Sequence, residues 1–126
     1  MNAPAAAFIA ASVRIELPWP PASLSGHNKG HWRSKSSVVS KHREWARLAT
    51  MEAQPAVPAE GDIAIGIEFY PPDRRSDRCN FPNRMKPYLD GVADALRVND
   101  RRFLPEYYFG AVVPRGKVVI SIGAAA

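Results

Sequence analysis

Ile63-Ala64-Ile65-Gly66-Ile67-Glu68-Phe69 puts a large apolar side chain at every second position, with Ala64, Gly66 and Glu68 between them. A period of two belongs to a strand, because successive side chains on an extended backbone point to opposite faces of a sheet. This is the clearest strand of the chain. Pro71-Pro72 ends it, since proline offers no N–H to a ladder, and the charged run Asp73–Cys79 reads as a loop. A helix is expected over 81–97, where Met85, Leu89, Val92 and Leu96 form one apolar stripe. Asn80 suits its cap and Pro82 its first turn. Pro87 is awkward inside a regular helix, where proline costs about 3 kcal/mol; either the regular part begins near Arg84 or the helix is kinked. Asn99-Asp100 marks the next turn. Tyr107–Val113 and Lys117–Ile122 then read as a terminal hairpin around Pro114-Arg115-Gly116.

Towards the N-terminus, Pro55–Gly61 is a turn-rich linker. Before it, a helix capped by Ser36 or Ser37 runs to about Ala53, with Val38, Trp45, Leu48 and Ala49 on its apolar side and His42 among them. Lys41, Arg43 and Arg47 lie towards its other faces. Ala22–Ser37 is a loop of Gly, Ser, His and Lys, and a connection that long in a compact domain is often functional. Val13–Leu17 alternates as a strand, stopped by Pro18-Trp19-Pro20-Pro21. Met1–Ala11 is Ala-rich without a basic flank, and reads as a loosely attached terminus rather than a secretory signal. The order β-α-β-α-β-β, without internal repeats, predicts one α+β domain over 12–123: a small mixed sheet with two main helices.

The 126 residues are 46% hydrophobic and 23% charged, the composition of an ordinary globular domain. No apolar run approaches the roughly 20 residues of a membrane-spanning helix. A single cysteine, Cys79, excludes an intrachain disulfide and a multi-cysteine zinc site, and a cytoplasmic location is expected. Of His27, His31 and His42 only the first two have a suggestive spacing, so zinc is not expected. Net charge is +5, and between Gly26 and Arg47 six cations face the single anion Glu44. Between Asp73 and Arg102 eight cations mingle with five aspartates. A basic stretch near clustered carboxylates suits a polyanionic substrate that needs a metal ion; a cationic surface kept for solubility accounts for the charge equally well.

The five aspartates are Asp73, Asp77, Asp90, Asp94 and Asp100. Phosphodiester hydrolysis needs an activated water and neutralisation of charge developing on phosphorus; Mg²⁺ held by carboxylates supplies both. Lys86 lies four residues before Asp90, one helical turn away, where it can offset charge on a phosphate. Surface ion pairing, at about 0.2–0.5 kcal/mol per pair, explains Lys86, Asp90 and Asp94 as well. Asp73 and Asp100 equally suit turn formation. Cys79 reads as a small, partly buried residue. Trp32, among basic residues, suits either stacking on a base or anchoring the loop to the core.

Three segments, in order, resemble the RusA family of phage and prophage Holliday junction resolvases. Ile15-Glu16-Leu17-Pro18-Trp19-Pro20-Pro21 is similar to the family's opening strand and "LPWPP" turn, and the basic loop Gly26–Arg33 follows it. Pro72-Asp73-Arg74-Arg75-Ser76-Asp77-Arg78-Cys79-Asn80 resembles "PDRRRRDxDN". Lys86 through Asp90-Gly91-Val92-Ala93-Asp94-Ala95-Leu96 to Asn99-Asp100 resembles the family's lysine, helix and acidic turn. The resemblance implies a Mg²⁺-dependent endodeoxyribonuclease, with Mn²⁺ as a substitute metal. It also implies paired nicks in branched DNA by a homodimer. Asp77, Asp90 and Asp100 are its expected metal ligands, with Lys86 catalytic beside them. His27, Lys29, His31, Arg33, Lys35, Lys41, Arg74 and Arg75 are the expected DNA contacts. The aromatic run Phe103, Leu104, Tyr107, Tyr108 and Phe109 suits a dimer contact or a core strand. Cys79 departs from the pattern by standing where the family has a second aspartate, and a soft thiol is a poor Mg²⁺ ligand. The rival readings are a branched-DNA-binding protein that has lost catalysis and an RNA- or DNA-binding accessory protein.

Overall fold

The computed structural model describes residues 12–25 and 32–123, with the side chains of the second stretch from Ser36 onward. Its elements are β1 (Val13–Pro18), α1 (Trp32–Ala53), β2 (Ile63–Tyr70), α2 (Lys86–Leu96), β3 (Phe103–Phe109) and β4 (Lys117–Gly123). Short 3₁₀ turns cover Ala22–Leu24, Arg78–Asn80, Pro82–Arg84 and Asp100–Arg102. The fold is α+β, a four-stranded mixed sheet in the order β1-β4-β2-β3 with two main helices. No helix of the described residues is long and apolar enough to cross a membrane.

The alternation in β2 works as its spacing predicts. Ile63, Ile65, Ile67 and Phe69 are buried on one face of the sheet, joined there by Ile15 and Leu17 of β1 and by Val118, Ile120 and Ile122 of β4. The register pairs them directly: Ile65 with Ile122, Ile67 with Ile120, Phe69 with Val118. Ala46 of α1 and Tyr88 and Val92 of α2, with Phe81 and Met85 just ahead of α2, belong to the same core. Two helices therefore share the apolar face. The opposite face carries the Arg14–Glu68 ion pair at 2.8 Å, and Tyr70 Oη donates to Glu68 at 2.6 Å.

Three expectations need correction. The predicted terminal hairpin does not form. β3 pairs parallel with β2, and β4 runs antiparallel to both β2 and β1. The helix between β2 and β3 makes them a β-α-β crossover, which yields parallel neighbours. The chain then crosses the end of β2 to reach its other edge, held by Gly110 N–H on Phe69 O at 2.8 Å and Val113 N–H on Pro71 O at 3.0 Å. Gly116 has φ +66°, and a Cβ there would lie 2.7 Å from Pro72 Cδ, so the crossing rests directly on the proline turn.

The second correction concerns helix bounds and faces. α1 begins at Trp32, four residues before the expected caps, and its buried stripe is His42, Ala46 and Thr50. Leu48, assigned to the apolar side, is exposed. α2 is shorter than 81–97 because the prolines divide the segment: Pro82 starts a 3₁₀ turn and Pro87 sits in the first turn of the helix proper. A proline there loses no hydrogen bond, so no kink is needed. Third, Cys79 is exposed rather than partly buried, because the 3₁₀ turn Arg78–Asn80 stands clear of the core.

Candidate functional site

The carboxylates of interest gather where α2 begins and ends. Lys86 and Asp90 are one turn apart, and Lys86 Nζ lies 2.9 Å from Asp90 Oδ1. After Leu96 the helix is closed by Arg97, in the left-handed region at φ 57° and ψ 44°. That reversal folds Asn99-Asp100 back along the helix, and Asn99 caps the following turn by accepting Arg101 N–H at 2.9 Å. Asp100 Oδ2 thereby reaches Lys86 Nζ as well. One ammonium thus holds two carboxylates that are ten residues apart in sequence. Hydrogen bonds to Asp100 and then Asp90 raise the Lys86 pKa, while the same contact to Lys86 lowers that of Asp100. All three side chains are partly open to solvent.

Asp90 and Asp100 line a shallow cleft of about 220 Å³ with Asp94, Asn99 and Arg43. Arg43 comes from α1. Its Nε donates to Asp94 Oδ2 at 2.6 Å and its Nη2 to Asp94 Oδ1 at 2.8 Å, a forked ion pair that lowers the Asp94 pKa. The approach that permits it is made at Gly91, where a Cβ would sit 2.1 Å from the Arg43 carbonyl oxygen and 2.9 Å from Ala46 Cβ. Only a residue without a side chain lets the helices touch beside Asp90.

Asp77 sits apart in sequence, on the loop after β2. Its Oδ1 accepts Cys79 N–H at 3.0 Å, capping the turn Arg78–Asn80. Among the described residues no three His, Cys, Asp or Glu side chains converge in a metal-holding arrangement. Asp90 and Asp100 come together through Lys86; Asp77 is not in that ion-paired group.

Of the expected DNA contacts, His27, Lys29 and His31 lie outside the described residues, as do the side chains of Arg33 and Lys35. Lys41 is exposed on α1, with Nζ 4.9 Å from the centre of the Trp45 ring. Arg74 and Arg75 are exposed on the loop after β2. Arg74 borders a cleft of about 300 Å³ with Ser76, Arg78 and Phe81, and Arg75 N–H is tied to Asp73 at 2.9 Å. Sequence reasoning did not single out Arg43 or Asn99 as members of the site. Arg43 is 51 residues from Asp94, and its only herald is the glycine that follows Asp90.

The start of α2 is tied to the proline turn after β1. Tyr88 Oη donates to Pro18 O at 2.7 Å, and Arg84 Nη1 to Pro20 O at 3.1 Å. Trp19 packs edge-on to Phe81 with ring centres 4.8 Å apart. Lys86 lies between these two anchors, so the proline turn fixes the end of α2 from which Lys86 projects.

No family model matches the chain. A protein of Xylella fastidiosa strain Temecula1, described only as an uncharacterized protein, is 39% identical over 113 residues, covering 86% of this chain and 74% of its own length. Identity at that level over most of both chains makes this protein a member of the same family as the Xylella protein.

Proposed function

We propose that the chain is a Mg²⁺-dependent endodeoxyribonuclease of the RusA type, acting on four-way DNA junctions in the cytoplasm as a homodimer. The observation that carries this reading is the Lys86 ammonium held between Asp90 and Asp100, two carboxylates that line an open cleft. The donor set suits the metal. Mg²⁺ prefers oxygen ligands and is commonly held by one or two carboxylates, with waters and substrate phosphates completing the shell. Asp90 and Asp100 provide the carboxylates; Asp77, which does not join them among the described residues, is the expected further ligand. When bound, the ion supplies an activated water and charge neutralisation at phosphorus.

The remaining work falls to the chain's own groups. Lys86, its proton held tightly by two carboxylates, stays cationic at neutral pH and stabilises charge on the scissile phosphate or the leaving oxygen. The basic segment 26–35, together with Lys41, Arg74 and Arg75, binds phosphates without reading sequence. Two symmetric cuts across a junction need two sites related by a twofold, which motivates the dimer.

A second reading has one observation in its favour. Cys79 is exposed where the resembled family has an aspartate, which fits a branched-DNA-binding protein with weakened catalysis. Incubating a synthetic four-way junction with the protein in Mg²⁺ and in EDTA separates the two. Cleavage in Mg²⁺ alone is expected; tight junction binding without cleavage would favour the second reading, and absence of both would overturn the first entirely.

A further inference from the structure

Arg43 and Asp94 are more precisely arranged than the packing of α1 on α2 requires. Gly91 against the Arg43 carbonyl and Ala46 already sets how closely the two helices approach. The pair is open, with side chains 49% and 36% exposed, so screening by water and salt weakens what it adds to helix packing. Yet the guanidinium is gripped by a two-point fork, and the same residue forms a wall of the cleft that holds Asp90 and Asp100. The fork engages Nε and Nη2. Nη1 makes no hydrogen bond or ion pair among the described residues. Lys86, the cation that bridges Asp90 and Asp100, already shares its charge between those two carboxylates.

A planar guanidinium with one edge fixed and the other without a partner among the described residues, on the wall of an open cleft, fits a phosphodiester oxygen. We propose that Arg43 is a substrate-binding residue that takes a backbone phosphate through Nη1, and that Asp94 is the positioning residue that holds it in place. This assignment rests on the nuclease reading above and adds a contact from α1, an element that reading used only through its basic N-terminal half.

The test replaces both partners at once. Arg43→Gln with Asp94→Asn leaves net charge unchanged, so a change in salt dependence reports a lost contact rather than a changed field. Junction affinity is measured by fluorescence anisotropy in EDTA across a KCl series, and single-turnover cleavage is measured in Mg²⁺. The slope of log affinity against log salt is expected to become shallower by about 0.9, the value for one phosphate contact on B-DNA. Cleavage is expected to fall about tenfold or more. Arg43→Lys keeps an ion pair to Asp94 but has no second edge; it should melt like the wild type and still cleave more slowly. Wild-type slope and rate in the double variant, or full activity in Arg43→Lys, would overturn the assignment while leaving the nuclease reading intact. If the wild-type protein binds the junction without cutting it, the slope alone decides. If it neither binds nor cuts DNA, both proposals fall together.

Discussion

At Gly91 two tendencies oppose each other. Alanine is the better helix former by about 1 kcal/mol, but its Cβ would meet the Arg43 carbonyl oxygen at 2.1 Å, a backbone atom that cannot swing aside. Overpacking of this kind costs about 1–3 kcal/mol or more, so the clash wins and Gly91→Ala is expected to lower the melting temperature. An unchanged or raised melting temperature would mean that the helices do not approach so closely. His42 is buried against Tyr88 and Trp45, with Nδ1 2.7 Å from Val38 O, and burial lowers its pKa below the ordinary value. An unfolded chain therefore takes up a proton on this residue at a pH where the folded one resists it. The stability it contributes is complete above the unfolded value, about 6.5, and is lost as pH falls from there through the lower folded value. The melting temperature should drop between pH 7 and 5, and His42→Phe should flatten that dependence; an equally steep drop in the variant would place the effect elsewhere. Cys79 is exposed, so Cys79→Asp introduces no buried charge. It should melt within about 0.5 kcal/mol of the wild type, the usual range for a surface substitution. Cleavage at limiting Mg²⁺ should rise, because a hard carboxylate replaces a soft thiol. A stable variant that cuts no better would remove this position from the metal site.

The elements show which parts of the fold a sequence carries on its surface. β1 and β2 were legible because the large apolar side chains of each fall on one face only, which gives a period of two. The apolar stripe was legible in part: Met85 and Val92 are buried and Leu89 and Leu96 pack against the core partly buried, but the fully buried Tyr88 was not in it. The proline at 87 marked where the regular helix had to begin, though only the structure shows that it opens the first turn. The start of α1 was misplaced because two adjacent serines imitate a cap, while helix Trp32–Ala53 runs through them. The hairpin was misread because β3 and β4 are each good strands with a turn between them. What decides their pairing is β2 lying between them, and that is a long-range fact. The site divides in the same way. Lys86 and Asp90 follow from helical spacing, whereas the return of Asp100 depends on the left-handed Arg97, and Arg43 is supplied by a helix distant in sequence. The anchoring of α2 to the proline turn gives a prediction at this scale. Tyr88 is fully buried, and Tyr88→Phe removes the donor to the Pro18 carbonyl at 2.7 Å. The expected loss is about 1–3 kcal/mol, seen as a lower denaturant midpoint with an unchanged slope. A midpoint equal to the wild type would show that this bond does not hold the turn.

In the whole molecule, the sheet and its two helices bring opposite charges to one end of α2 and leave much of the basic content outside the core. A net charge of +5 favours a polyanionic partner, but charge alone does not distinguish a nuclease from a protein that merely binds. The distinction lies in the two carboxylates that meet at Lys86. Asp100 is the more telling of them, because it is not on the helix and reaches the lysine only by way of the turn after Arg97. The decisive measurement sets Asp100→Asn beside the wild type on a synthetic four-way junction, scoring binding in EDTA and single-turnover cleavage in Mg²⁺ with the same preparations. Loss of a metal ligand predicts unchanged or slightly tighter binding and a cleavage rate reduced by at least 100-fold, about 2.7 kcal/mol in the barrier. Cleavage by Asp100→Asn at the wild-type rate would contradict the account, and would return Lys86, Asp90 and Asp100 to an ion-paired surface with no part in chemistry.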